Sequence, residues 1–220
     1  AQKGIDISRR ADQLVGGTFI TLGPSLIYDT RNSIYNTTQG FYSSIGYEHS
    51  FAVGGDSDSF GKVSATIRRF FPVGQRSTFT VGGRVAATAI GDLPEFAGFR
   101  LGGSSTIRGF REGDVGNGGG YMMASAELRT PIPFMDKVTN IKFFNDMRTA
   151  FFVDAGTLFN ETLTNQLYNR PGYGISVGAG LRIFVPGIGP INLDYGIPIT
   201  NVGAGNKKGG RFTFGFGDLY

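Results

Sequence analysis

Apolar and polar side chains alternate along most of the chain, most sharply over 173–185, YGISVGAGLRIFV. Tyr173, Ile175, Val177, Ala179, Leu181, Ile183 and Val185 share one parity, and Gly174, Ser176, Gly178, Gly180, Arg182 and Phe184 the other. Successive side chains of a strand point to opposite faces, so one face is apolar and the other mostly small or charged; no helical stripe has that spacing. The same pattern sets Val63, Ala65 and Ile67 against Lys62, Ser64, Thr66 and Arg68, and Phe79, Val81, Val85 and Ala87 against Thr78, Thr80, Arg84 and Thr88. Met122, Ala124, Ala126 and Leu128 oppose Ser125, Glu127 and Arg129, while Ile191, Leu193, Tyr195 and Ile197 oppose Asn192 and Asp194. At the C-terminal end Phe212, Phe214 and Phe216 oppose Arg211, Thr213, Gly215 and Gly217.

This patterning predicts roughly nine strands, at about 14–28, 40–53, 60–71, 77–90, 120–130, 149–159, 172–185, 190–197 and 210–219. A soluble β-sandwich also alternates, but with shorter strands, typically ~5–6 residues. Crossing a bilayer takes ~9–11 residues per strand, and a Gly-, Ser- and Thr-rich face with mixed charges suits a crowded, wet lumen. The expected fold is therefore all-β, an antiparallel transmembrane β-barrel forming a single domain over 1–220. Tight turns are expected at Pro72–Arg76, with Gln75 at its centre, and at Pro186–Gly189, and one long connection at about 91–119. Outer-membrane barrels have short periplasmic turns and long external loops, which puts the long connection outside. The connection at about 131–148 is longer than a periplasmic turn should be. An odd strand count leaves the chain ends on opposite faces, whereas single-chain bacterial barrels have even counts, so these strands read as part of a larger barrel.

Composition narrows the chemistry. Cys and Trp are absent and His49 is the single histidine, which excludes a disulfide framework, a thiolate metal site and a catalytic thiol. With 36 Gly, 20 Phe and 17% charged residues the chain is neither disordered nor, lacking a three-residue Gly period, collagenous. The net charge of +4 is spread along the chain and does not point to nucleic acid. No apolar run reaches the ~20 residues of a membrane helix, and no signal peptide is seen. No cofactor, metal or catalytic residue is expected.

The stretch 101–110, LGGSSTIRGF, resembles the external-loop signature of the BamA/TamA superfamily of outer-membrane insertases and translocases, whose [V/I]-R-G-[F/Y] tetrad is here Ile107-Arg108-Gly109-Phe110. Tyr28-Asp29-Thr30-Arg31-Asn32 is similar to the family's Y-D-x-R-[D/N] element, Glu127-Leu128-Arg129-Thr130-Pro131 to its E-[F/L/Y]-R-x-P strand end, and Phe152-Val153-Asp154-Ala155-Gly156 to its F-x-D-x-G strand. Gly180-Leu181-Arg182 followed by Gly189-Pro190 resembles the penultimate hairpin, and Phe212 to Tyr220 the terminal strand. The elements come in family order over almost the whole chain. The resemblance implies the last nine strands of a sixteen-stranded barrel, with the periplasmic POTRA domains and about seven strands outside this chain.

The alternation places Glu127 and Asp154 on the lumen face, with Phe152 and Gly156 beside Asp154. A guanidinium carried into the lumen by the long loop needs such acidic partners, and a glycine next to it lets the backbone approach. The resemblance implies a loop-to-wall lock of Arg108, Gly109, Phe110, Glu127, Phe152 and Asp154. The plainer alternative is that lumen charges pair simply to fill the interior, since Lys62, Arg68, Arg84, Arg182, Arg211, Glu48 and Asp194 share that face. The resemblance also implies a seam at the terminal strand, through Phe212, Phe214, Gly215, Phe216, Gly217 and Tyr220. Its edge would template incoming strands, with outer-membrane lipids, nascent β-barrel clients, POTRA domains and accessory subunits as partners and an outer membrane as the location. A secretion pore of the same superfamily is the alternative. An outer-membrane barrel enzyme is the third class, but only His49 could serve it, and that residue shares a face with Tyr47 and Phe51 near a strand end. The stretch 113–120, GDVGNGGG, lacks the Lys-[Ser/Thr] of a phosphate cradle and reads as a flexible loop. Residues 55–59, GDSDS, read as a hairpin tip rather than a calcium loop.

Overall fold

The structure, a computed structural model, describes residues 17–34, 36–55, 58–74, 76–132, 147–161, 172–185, 189–200 and 209–216. Their strands are β1 (Gly17–Leu22), β2 (Ser25–Asp29), β3 (Gly40–Gly55), β4 (Phe60–Val73), β5 (Ser77–Ile90), β6 (Phe99–Leu101), β7 (Gly116–Pro131), β8 (Arg148–Glu161), β9 (Tyr173–Val185), β10 (Gly189–Pro198) and β11 (Arg211–Phe216). All pairings are antiparallel, in the order β1-β3-β4-β5-β7-β8-β9-β10-β11, with β2 also on β3 and β6 on β7. The sheet is thus nine strands wide, and its end strands are not paired with each other among the described residues.

The first predicted strand, 14–28, is interrupted. β1 and β2 both pair with β3, and the register set by Leu22↔His49 continues unshifted at Ser25↔Gly46. Pro24 falls in the gap; it has no N–H to give the ladder, although its carbonyl still accepts from the N–H of Tyr47 at 3.1 Å. A Cβ on Gly23 would lie 2.1 Å from the Tyr47 carbonyl oxygen, so the chain passes β3 more closely than a side chain allows.

The glycine-rich stretch 113–120, expected as a flexible loop, is a correction. From Gly116 onward it is strand, paired with β6 at Gly118↔Phe99 and with β8 at Gly120↔Phe159. Gly120 is there for steric reasons: a Cβ on it would lie 2.1 Å from the Phe159 ring. The long connection therefore ends near residue 115 instead of 119, and it contains β6 and a single 3₁₀ turn at Glu95–Ala97.

The alternation sorts side chains between two faces as expected. Ile67 is 54% exposed, and Val85, Met122, Val153 and Ile197 are exposed with it. On the opposite face Arg68, Thr78, Thr80, Glu127, Arg129, Asp154, Ser176, Arg182, Asn192 and Asp194 are buried. Over part of this face the long connection packs down, and Arg108 reaches Glu127, Asp154 and Asp194. Leu101, Ile107, Phe110 and Val115 from the loop meet Ala86, Tyr121, Met123 and Leu158 from the wall in one apolar cluster. So the inner face carries a small core of its own, which a two-letter pattern of polar and apolar positions does not anticipate. The turn centre Gln75, the segment 186–188, Asp56, Ser57, most of the 131–148 connection, Gly217 and Tyr220 lie outside the described residues.

Candidate functional site: an arginine carried by the long loop into the wall

Arg108 is 1% exposed, the largest fully buried side chain of the described residues. Its Nε and Nη2 donate to the two carboxylate oxygens of Asp154 at 2.7 and 2.8 Å, a bidentate fork. Its Nη1 donates to Glu127 at 2.7 Å, and its backbone N–H reaches Asp154 at 3.2 Å. The guanidinium lies over the Phe152 ring, its Cζ 3.5 Å from the centroid. Ser125 completes the shell, donating to Asp154 at 2.6 Å and accepting from Arg108 Nη2 at 3.3 Å.

The strand ladder explains why these groups converge. Glu127 is directly opposite Phe152, and Ser125 directly opposite Asp154, across β7 and β8. Residues i and i+2 of each strand share the inner face, so the two register pairs make a four-cornered patch. A loop arginine can cover that patch with one side chain.

Further groups enlarge the network. Arg129 donates to Glu127 at 2.7 Å, and Arg182 donates to both Glu127 oxygens at 2.7 and 3.1 Å and to Asp194 at 2.7 Å. Asp194 lies 3.7 Å from Arg108. Three guanidiniums thus face three carboxylates, which compensates charges that would be costly to bury alone. The expected lock included neither Arg129, Arg182, Asp194 nor Ser125; Arg129 and Arg182 stood in family-like elements with no role assigned, and Asp194 and Ser125 were marked only by their parity on the polar face.

Gly109 has φ +89, a left-handed conformation suited to glycine, and a Cβ there would lie 2.7 Å from the carbonyl carbon of Gly196 on β10. Phe110 and Ile107 fill the depressions left by Gly174 and Gly156: Cβ atoms there would lie 3.2 Å from each side chain, respectively. The loop is also held at its near end. Lys62 Nζ donates to the Ala97 carbonyl at 2.6 Å and sits 4.9 Å from the Phe99 centroid, while Asn117 Nδ2 donates to the Glu95 carbonyl at 3.2 Å. This second anchorage had no sequence signal, because it uses backbone carbonyls.

The Y-D-x-R-N element has a separate task. Arg31 forks onto Asp29 with hydrogen bonds of 2.8–3.1 Å, and Asn32 Oδ1 accepts from the N–H groups of Thr38 and Gln39, which closes the β2–β3 turn. On the terminal strand Phe212 is 85% exposed, Phe214 and Phe216 also face outward, and Gly215 pairs with Asn192. His49 sits beside Phe51, ring centroids 4.4 Å apart, with the Tyr47 hydroxyl 2.8 Å from its Nδ1.

A profile of the Omp85 superfamily domain matches residues 15–219. The chain belongs to the Omp85 superfamily. Among its relatives, outer envelope protein 80 of Arabidopsis thaliana chloroplasts is 29% identical over 72% of this chain and 19% of its own length. Protein TOC75 of Pisum sativum chloroplasts is 29% identical over 60% of this chain and 14% of its own length. The chain therefore spans less than a fifth of these relatives. The crystal structure of BamA from Haemophilus ducreyi lacking POTRA domains 1-3 superposes with a TM-score of 0.69, covering 88% of this chain and 41% of that one at 23% identity. That likeness establishes the fold: the open sheet is a stretch of an Omp85 barrel wall. Omp85 membership makes the chain an integral protein of an outer membrane, bacterial or organellar.

Proposed function

We propose that this chain is the C-terminal part of the barrel of an outer-membrane assembly factor, which folds and inserts β-barrel proteins through a lateral seam. In this reading residues 1–220 are one barrel domain, continued by further strands and by POTRA domains of the full-length protein. The observation that carries it is Arg108, which ties the long loop to Asp154 and Glu127 inside the wall. A buried fork of this kind adds little net stability, and in this reading its role is to specify one arrangement of loop and wall. The lock fixes the long loop against the wall and holds the barrel shape on which the seam depends.

The seam is assigned to the terminal strand. Among the described strands β11 pairs with β10 alone, and its other edge is the one a client strand would meet by β-augmentation. Outer-membrane lipids and nascent barrels are the partners; the work is conformational and requires no bond chemistry.

The test is charge reversal in the full-length protein, Arg108→Glu and Asp154→Arg, singly and together, with client insertion into vesicles as the readout. Each single change is expected to abolish most insertion and the pair to restore part of it. Full insertion by both single variants would overturn the lock. Intact insertion after the terminal strand is clamped across the seam to the first strand of the full-length barrel would overturn the seam.

A further inference from the structure

Three consecutive residues of β10 touch the long loop on one face and the terminal strand on the other. Inward, Asp194 holds Arg182 and lies 3.7 Å from Arg108, and Gly196 meets Gly109 backbone to backbone. A Cβ on Gly196 would lie 2.6 Å from the Gly109 nitrogen, so β10 has no room to move toward the loop. Outward, the Tyr195 ring packs at a tilt of 50° against Phe212, centroids 4.7 Å apart, and covers Gly210, where a Cβ would lie 2.3 Å from the ring. The ladder joins the same three to the start of the last strand: Gly196↔Arg211, Tyr195↔Phe212 and Asp194↔Thr213.

We infer that Asp194, Tyr195 and Gly196 are positioning residues that couple docking of the long loop to the pairing of the terminal strand. The physical cause is the strand's period of two. Neighbouring side chains are fixed on opposite faces, so a shift of Gly196 into space vacated by the loop carries Tyr195 with it and off Phe212. Among the described strands β11 is secured only by this ladder and these rings, and the ends of a strand are where pairing opens first. A docked loop keeps them paired; a released loop frees them. The regulatory meaning rests on the seam reading above, but the coupling itself does not.

The experiment is segment-resolved hydrogen exchange on the full-length protein in lipid nanodiscs. Arg108→Gln releases the loop from the β7–β8 patch. It is expected to speed exchange at 211–216 by about 5–150-fold, the usual range for coupled sites, while β3 and β4 amides keep their rates. Coupling is reciprocal, so Tyr195→Leu, on the lipid face, must speed exchange at 101–115 as well as at 211–216. Tyr195→Phe keeps the ring and is expected to leave both segments unchanged. The proposal is overturned if either variant loosens one segment and not the other, or if all strands loosen equally. Should Arg108→Gln fail to fold, the Tyr195 pair decides alone. Client insertion is not read, so failure of the insertion reading leaves this result interpretable.

Discussion

Burying a guanidinium costs several kcal/mol unless its donors are met, and Arg108 meets them with two carboxylates, a hydroxyl and a ring face. Removing it leaves Asp154 and Glu127 buried next to less positive charge. Arg108→Ala is therefore expected to cost about 3–5 kcal/mol, read as a lower urea midpoint for the full-length protein in lipid. Arg108→Lys should recover little of this, because an ammonium cannot fork onto Asp154 while reaching Glu127. Arg182→Ala should cost less than Arg108→Ala, because Glu127 keeps Arg108 and Arg129. A larger loss for Arg182 would mean the network centres on Asp194 and not on the loop. Gly109 adds a backbone requirement: alanine there meets both a positive φ and the Gly196 backbone, and loop protection from exchange should fall.

At the scale of the element, glycines on the inner face make the strands accept what packs over them. Gly178 on β9 is the clearest case: a Cβ there would lie 2.3 Å from the Phe152 ring and 2.3 Å from the Tyr195 carbonyl oxygen. Phe152 lies over this glycine and under Arg108, so the strand and the lock share one space. Gly178→Ala is expected to cost about 1–3 kcal/mol by overpacking, and to weaken the Arg108 hold without altering any charged residue. A denaturant series on Gly178→Ala, Arg108→Ala and the double variant checks this, because residues sharing one contact give non-additive losses. Additive losses would separate the strand from the lock. The interruption between β1 and β2 has a similar origin, since Gly23 passes within a side chain's reach of β3 and Pro24 gives up one ladder bond.

For the whole molecule, the outer face is mostly hydrocarbon and aromatic, with Ile67, Val85, Met122, Phe151, Val153 and Ile197 exposed on it, a surface suited to lipid. Ile67, at mid-strand on β4, is 54% exposed on that face, whereas its neighbour Thr66 faces inward. Ile67→Arg should destabilise the inserted protein by about 2–4 kcal/mol, the range for a cation at the bilayer midplane. Thr66→Arg should cost less, because it enters the wet side of the wall. Denaturant titration in vesicles of defined thickness measures both. Equal penalties would mean that the exposed face is not the lipid face.

The nine-strand width of the sheet, its two faces and the parity of the sharply alternating strands were legible from the chain alone, because a strand's period of two depends only on neighbouring residues. The tetrad at 107–110 and the acids at 127 and 154 could also be read there as one group, through their resemblance to a family pattern. The tertiary structure decided what parity cannot express. It brought Arg182 and Asp194 into the lock, because β9 and β10 are set beside β8 by ladder register and not by proximity in the chain. It turned 116–120 from loop to strand, because the meaning of a glycine depends on the ring that lies against it. It also built an apolar cluster on the nominally polar face, since a loop that folds back brings its own hydrophobic side chains and needs partners for them.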